Sequence, residues 1–171
     1  MRTAVAALVT LAAGAALLFS TRARAATPEP NISQDEIDMT EDTRPRGIRN
    51  NNPGNIEAGE PWQGATGDDG RYLVFESPLY GLRALSRTLD TYRSKYGINT
   101  VAGIIDRWAP DIENNTAAYI AHVASAVGVA PQEQLQPVHR LPLIAAIVLH
   151  ENGQQPYSDA LIAQAIELAR A

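Results

Sequence analysis

The chain of 171 residues contains no cysteine, which is the first of several absences that narrow its chemistry. Without a thiol, catalysis by a cysteine nucleophile and thiol redox chemistry are excluded. A core of about 130 residues can be stable without disulfide bonds. The sequence also has no GxSxG nucleophile elbow and no glycine-rich phosphate loop. Serine hydrolysis and nucleotide chemistry of those types are therefore not expected.

Basic residues are scarce as well. The chain has 14 Lys and Arg against 19 Asp and Glu, a formal charge of −5. Three arginines lie within the first 25 residues, so residues 26–171 carry 11 basic and 19 acidic groups, a balance of −8. Proteins that bind nucleic acid need a basic stripe to displace counterions. We therefore expect no nucleic-acid partner.

Histidines are few and scattered, at positions 122, 139 and 150. Only His150 has a carboxylate beside it, Glu151, and adjacent residues of a helix point about 100° apart. The sequence HENGQ also lacks the second histidine of the zinc motif HExxH. We therefore expect neither a metal nor any other cofactor.

The first 25 residues have the features of an export signal. Arg2 precedes an apolar run from Ala4 to Phe19, and Ala23-Arg24-Ala25 fits a small-x-small cleavage site. Alternatively, the uncharged run from Thr3 to Thr21 is an uncleaved anchor, because it is long enough to cross a thin bilayer. We expect a periplasmic or secreted protein or, in the alternative, a membrane-anchored one that faces the periplasm. The inner membrane would be contacted only through this segment.

The region after the signal is predicted to be a linker followed by one domain. Residues 26–42 carry six acids, two prolines and no base. Such a composition cannot bury enough apolar surface to fold, so we expect an acidic disordered linker over 26–43. Residues 44–171 are then the folded domain.

Turn and capping signals predict an α+β domain that is mostly α. The segments 61–64 and 71–75 flank a Gly-Asp-Asp-Gly turn at 67–70, which predicts a β-hairpin. Apolar residues at three- and four-residue steps predict about six helices farther along. Their expected starts or spans are Ser77 to Gly97, Thr100 to Trp108, Asn115 to Gly128, a short turn from Pro131, Leu141 to Glu151, and Ser158 onward.

Glu151 is the strongest candidate for a catalytic residue. It ends an apolar helix and lies four residues after Ile147 and three after Val148, so it projects from the buried face or its edge. Poor solvation and the negative end of the helix dipole both favour a protonated carboxyl group, as a general acid requires. The alternative is structural: Glu151 caps a loop or pairs with an arginine such as Arg49 or Arg83.

A second polar motif, GIRNNNPGNI, spans Gly47 to Ile56 and is too polar to be core. Its asparagine amides could bind the acetamido and hydroxyl groups of a sugar, or instead satisfy their own backbone. Trp62 and Gln63 could stack on and hydrogen-bond a sugar ring, although Trp62 could instead belong to the core, and Tyr157 could orient the acid or fill the cleft wall. Trp108 and Tyr119 fit helix spacing and are expected in the core. The candidate ligand-binding residues are Asn50, Asn51, Asn52, Asn55, Trp62, Gln63 and Tyr157.

The segment Leu143 to Ser158 resembles the helix of lysozyme-like enzymes, the lytic transglycosylases and goose-type lysozymes, in which a Glu is followed by Ser or Asn and then Gly. Here the matching residues are Glu151-Asn152-Gly153, with Pro156 and Ser158 after them. The motif at 47–56 resembles the Asn-rich loop that faces this Glu in flagellar-type glucosaminidases. Together with FESPLYGLRAL, it is also similar to phage and prophage proteins described as virion structural or lysozyme-like. The Glu helix comes last here, so a shared lysozyme-like fold would be circularly permuted.

The resemblance implies cleavage of the β-1,4 bond between N-acetylmuramic acid and N-acetylglucosamine. Glu151 would protonate the leaving oxygen and, in a transglycosylase, then act as base toward the muramyl 6-hydroxyl. One carboxylate suffices there, whereas a hydrolase uses a second one about 5–9 Å away. The candidates for that second carboxylate, which could equally be ordinary turn and surface acids, are Glu57, Glu60, Asp68 and Asp69.

Three interpretations of the function follow. The leading one is an exported glycosidase, a lytic transglycosylase or muramidase, whose partners are peptidoglycan glycan strands. The alternative is a non-catalytic virion structural or glycan-binding protein that keeps the fold and has virion components as partners. The third is a helical adaptor with Glu151 in a salt bridge on a closed surface. They are distinguished by whether Glu151 lines an open groove opposite Asn50–Asn55.

Overall fold

The computed structural model describes residues 42–109 and 115–171, which are mostly helical with one small antiparallel sheet. The predicted α+β class, mostly α, is therefore confirmed. The predicted export signal at 1–25 lies outside the described residues, and of the linker predicted at 26–43 only Asp42 and Thr43 lie inside them. Among the described residues, no helix has both the length and the apolar character needed to cross a membrane.

The five longer helices begin and end close to the predicted positions, whereas the short helix at Arg46–Arg49 was not predicted, and the short helical turn predicted from Pro131 lies instead at Pro137–His139. The described helices are α1 (Arg46–Arg49), α2 (Pro78–Tyr96), α3 (Val101–Trp108), α4 (Thr116–Val127), α5 (Arg140–Asn152) and α6 (Asp159–Arg170), with a 3-10 turn at Pro137–His139 before α5. Side-chain oxygens of Thr100, Asn115 and Ser158 accept hydrogen bonds from the first turns of α3, α4 and α6. Such caps satisfy backbone N–H groups that a helix start leaves unpaired.

The hairpin is present, but its first strand lies farther along the chain than predicted. Strand β1 (Ala65–Asp68) pairs with β2 (Leu73–Phe75), with an irregularity between Ala65 and Gly67. The prediction of a strand at 61–64 and a turn at 67–70 was therefore wrong in register. The reason is Asp69, whose Oδ1 accepts hydrogen bonds from the backbone N–H groups of Arg71 and Tyr72 and so places the turn after Asp68.

One main hydrophobic core joins the long helices, and it fixes the position of α5. Helix α5 packs against α2, α4 and α6, and α2 packs along α6. Side chains such as Leu85, Ile105, Ile144, Ile147 and Ile162 are fully buried in this core. Burial of each such side chain contributes about 1.5–3 kcal/mol to stability. The C-terminal end of α5, where Glu151 lies, is thus held by the most buried part of the protein.

Candidate active site

The polar loop from Asn50 to Ile56 is organised around the side chain of Asn52, which has no exposed surface. Its Nδ2 donates to the carbonyl oxygens of Ile56 and Leu73, both at 2.9 Å, and its Oδ1 accepts from the N–H of Ile56 at 2.9 Å. A buried amide with these bonds compensates the loss of hydration of both the loop and strand β2. Asn52 therefore builds the loop and has no surface on which a ligand could lie.

This loop is locked onto the end of α5 by Asn152, the residue after Glu151. The Nδ2 of Asn152 donates to the carbonyl oxygen of Pro53 at 2.8 Å. On the other side, a Cβ atom at Gly47 would lie 2.3 Å from Oδ1 of Asn152, so only glycine permits this approach. The motif at 47–56 and the Glu helix, about a hundred positions apart in sequence, are thereby held in direct contact.

The carboxylate of Glu151 accepts hydrogen bonds from three neutral donors on three different segments. Oε1 accepts from the Tyr119 hydroxyl at 2.9 Å and from Nε1 of Trp108 at 3.2 Å, and Oε2 accepts from Nδ2 of Asn55 at 3.1 Å. Within the part of the chain that the structure describes, Glu151 forms no salt bridge. The carboxylate is thus oriented without a cation to neutralise it.

The donor Tyr119 is itself fixed by its surroundings. Tyr119 is 1% exposed. The ring of His150 stacks on the ring of Tyr119 at a centroid distance of 3.4 Å and an interplanar angle of 7°. Burial above all, with the nearby charge of Glu151, raises the pKa of Tyr119, so its hydroxyl stays protonated and donates. Burial also lowers the pKa of His150, with a smaller contribution from His122 and an opposing one from Glu151.

Glu151 lines an open groove with a volume of about 330 Å³. The groove has aromatic walls, because Trp108 and Tyr92 meet edge to face at 6.3 Å. The other side carries Tyr72, whose ring lies under the guanidinium groups of Arg46 and Arg71. The residues that line the groove are Gly54, Asn55, Ile56, Glu57, Arg71, Tyr72, Thr88, Tyr92, Trp108, Ala109 and Glu151.

Comparison with known proteins relates this chain to a phage protein. No family model matches it. Over 119 residues it is 40% identical to Protein P5 of Pseudoalteromonas phage PM2. The aligned segment covers 66% of this chain and 74% of that protein. The chain belongs to the family of Protein P5. The phage part of the predicted resemblance is therefore confirmed, whereas the lysozyme-like part stays a prediction.

Of the four asparagines predicted to bind substrate, the structure brings only Asn55 to the groove of this P5-family protein. Asn50 donates to Oδ2 of Asp69 at 2.7 Å, and Asn51 donates to the carbonyl oxygen of Phe75 at 2.9 Å. Together with the amide of Asn52, these amides form hydrogen bonds within the loop and to the hairpin, as the structural alternative for the motif predicted. Direct substrate contact stays a prediction, and Asn55 is the member of the motif whose position fits it.

Three further candidates lie outside the groove lining. Trp62 is half-buried against the small cluster of Leu73 and Phe75 that anchors the hairpin. Gln63 is exposed on the loop before β1. Tyr157 packs against the main core, and burial raises its pKa. None of the three contacts Glu151 through a hydrogen bond.

Among the candidates for a second carboxylate, Glu57 alone lines the groove with Glu151, and it pairs with Nε of Arg71 at 3.0 Å. Glu60 and Asp68 are exposed outside the groove lining. Asp69 serves the hairpin turn, and hydrogen bonds from Tyr72, Asn50 and Arg71 lower its pKa to about 2.

Neither Arg49 nor Arg83 pairs with Glu151, so the structural alternative does not hold for these two arginines. Arg49 donates to the carbonyl oxygen of Asp42 at 2.9 Å, and Arg83 donates to that of Leu168 at 3.3 Å. Each arginine therefore bonds to backbone elsewhere.

Two site residues were missed from the sequence, because Trp108 and Tyr119 were assigned to the core on helical spacing alone. Both rings do pack on the core, yet their polar tips bind Glu151. The available signal was chemical: a buried Trp N–H or Tyr O–H usually finds an acceptor, although the sequence alone does not show which one. Among the described residues, no group of three or more His, Asp or Glu could hold a metal ion.

Proposed function

We propose that this protein of the P5 family is an exported peptidoglycan glycosidase that cleaves the β-1,4 bond between N-acetylmuramic acid and N-acetylglucosamine. Glu151 is its single acid and base. The observation that carries the proposal is the position of Glu151 at an open groove, held by three neutral donors. The expected export rests on the sequence of residues 1–25.

The hydrogen bonds around Glu151 suit proton transfer at one of its two oxygens. A carboxylate oxygen has two lone-pair positions. Oε1 accepts two bonds, from Trp108 and Tyr119, so both of its positions are used. Oε2 accepts one bond, from Asn55, which leaves a position for a proton shared with substrate. A rigidly oriented acid next to a binding groove supplies the geometry that general acid–base catalysis requires.

The lining of the groove also suits a glycan. Its volume of about 330 Å³ is within the usual range for ligand sites. Three aromatic residues, Tyr72, Tyr92 and Trp108, line the groove and suit contact with sugar rings, and Asn55 and Thr88 offer hydrogen-bonding groups for hydroxyl and acetamido substituents. A groove open at the surface admits a segment within a long strand.

The arrangement favours a transglycosylase. In the first step, Glu151 donates its proton to the glycosidic oxygen as the bond to the muramyl C1 breaks. In the second step, the carboxylate removes the proton of the muramyl 6-hydroxyl, whose oxygen bonds to C1, and Glu151 is protonated again. A transglycosylase needs only this one carboxylate, whereas hydrolysis would also use Glu57, whose exposed pair with Arg71 is of low strength.

A second function is supported by the relationship to a phage protein. In this alternative, the chain is a non-catalytic component of the virus particle that binds glycan strands through the same groove, with other virion components as partners. It requires no proton transfer at Glu151.

The test compares residues 26–171 with the variants Glu151→Gln and Glu76→Gln on purified peptidoglycan, with products identified by mass spectrometry. Glu76 is exposed and does not line the groove, so it controls for the change of charge. We expect anhydro-ended fragments from the wild type and the control only. Reducing ends would assign a hydrolase instead. Equal release by Glu151→Gln would refute the role of Glu151, and retained binding without release by any protein would support the structural alternative.

A further inference from the structure

A second pocket shares no lining residue with the groove of Glu151. It has a volume of about 130 Å³ and lies where the middle of α2, the segment before α3, the start of α5 and the end of α6 meet. Nothing in the proposed glycan chemistry uses this pocket.

The pocket is cationic in a chain that is acidic overall. Three arginines, Arg93, Arg140 and Arg170, line it against a single carboxylate, Asp90. Burial lowers the pKa of Arg140, and the positive charges of Arg170 and Arg93 lower it further, against the opposing effect of Asp90. Because all three arginines line the same small pocket, a bound anion would reduce the repulsion among their charges.

The arginines differ in how far they are already committed to other groups. Arg140 forms the wall of the pocket, since it bonds to Asp90 and to the carbonyl oxygen of Ser86. Arg170 pairs with Glu167 at 2.6 Å, an exposed contact of low strength. The Arg93 guanidinium has no hydrogen bond or ion pair with any residue in the ranges 42–109 and 115–171.

His139 adds a further donor. Its Nδ1 accepts the backbone N–H of Gln136 at 3.1 Å, so in the neutral ring the proton lies on Nε2. The pocket thus has three donors for a bound anion. They are the guanidinium of Arg93, the weakly paired guanidinium of Arg170 and the imidazole N–H of His139.

We propose that this pocket binds a phosphate group, as the free anion or as a phosphate monoester. Phosphate near neutral pH carries up to two negative charges and several acceptor oxygens, which match guanidinium donors arriving from different elements. The small volume admits a single phosphate group and excludes a folded polymer. Arg93 and Arg170 are the residues expected to contact it, and Arg140 with Asp90 supports the wall.

The test is calorimetric titration of the full chain with inorganic phosphate, with chloride used to keep the ionic strength constant. The variants are Arg93→Gln and Arg170→Gln, and the control is Lys95→Gln, an exposed cation on α2 that does not line the pocket. We expect saturable binding by the wild type and the control. Loss of one charge-assisted contact should weaken binding about tenfold in each pocket variant.

Flotation with vesicles separates the two sources of phosphate. Vesicles of phosphatidylcholine with phosphatidic acid, compared with phosphatidylcholine alone, test for a lipid phosphate monoester. Binding that needs phosphatidic acid, is displaced by free phosphate and is lost in Arg93→Gln assigns the lipid. Binding of free phosphate without flotation assigns a soluble ligand. Absence of phosphate-specific heat, or equal affinity in wild type and both pocket variants, would overturn the proposal.

Discussion

The hydroxyl of Tyr119 donates a hydrogen bond of 2.9 Å to Oε1 of Glu151, from the first turn of helix α4 to the end of helix α5. Because the ring of Tyr119 is buried between helices, packing of the core sets the direction of the bond. The orientation of the carboxylate is therefore determined by the fold itself and not by a mobile surface contact. A substitution that removes only this hydroxyl tests whether that orientation matters.

For Tyr119→Phe, we expect the fold to persist and glycan cleavage to slow. The ring remains, and loss of one hydrogen bond to a charged group costs about 1.5–3 kcal/mol of unfolding free energy. Because Tyr119 is buried and does not line the groove, kcat should fall about tenfold with KM unchanged. Release of soluble fragments and urea unfolding measure the two effects. The control is Tyr80→Phe, outside the groove lining, and an unchanged kcat in Tyr119→Phe would show that the bond has no role in catalysis.

For Asn55, two substitutions separate the backbone role from the amide role. Asn55 has φ of 48°, a left-handed conformation that costs most residues other than glycine about 1–2 kcal/mol. Asn55→Ala should therefore be less stable in urea than Asn55→Gly by about 1 kcal/mol. Both remove the donor to Oε2 of Glu151, so both should lose cleavage activity to a similar extent. Full activity in Asn55→Gly would mean that the amide is dispensable.

The hairpin turn should give the fold a pH dependence through Asp69. Its pKa falls from 3.8 to about 2 in the folded protein, chiefly through the backbone N–H of Tyr72 and then through Asn50. Since the folded pKa is below the unfolded one, ionised Asp69 stabilises the fold above about pH 4, and this effect disappears as the pH falls toward 2.

Asp69→Asn should therefore lower Tm at pH 7, and its difference from wild type should shrink between about pH 4 and 2. Thermal unfolding followed by circular dichroism at a series of pH values measures this. Asp106→Asn, an exposed change of equal charge, serves as control. A Tm difference that stays constant over the whole pH range would argue against an electrostatic origin.

Helix positions could be predicted from the sequence because their signals are local. The side chain of Thr100 caps α3, and Gly153, with φ of 66°, ends the helix that carries Glu151. The register of the hairpin could not be predicted in the same way. It depends on two backbone N–H groups that donate to the side chain of Asp69. The turn residues alone do not show which of the two Asp side chains accepts these hydrogen bonds.

The candidate site was only partly predictable for a similar reason. Glu151 and the Asn-rich motif stand out by composition, but which asparagine reaches the carboxylate depends on how the loop folds. Asn52 is buried as its organising residue, and Asn55 emerges at the groove. Trp108 was assigned to the core because periodicity reports where a ring lies and not where its N–H points.

The two tryptophans of the chain allow the most direct test of the groove as the glycan site. The indole N–H of Trp108 lies against Glu151 in the groove, whereas Trp62 packs beside the hairpin. In ¹H–¹⁵N spectra of Glu151→Gln, which we expect to bind without cleaving, purified peptidoglycan fragments should shift the Trp108 indole signal saturably and leave that of Trp62 in place. A Trp108 signal that does not move at saturating fragment would contradict glycan binding in this groove.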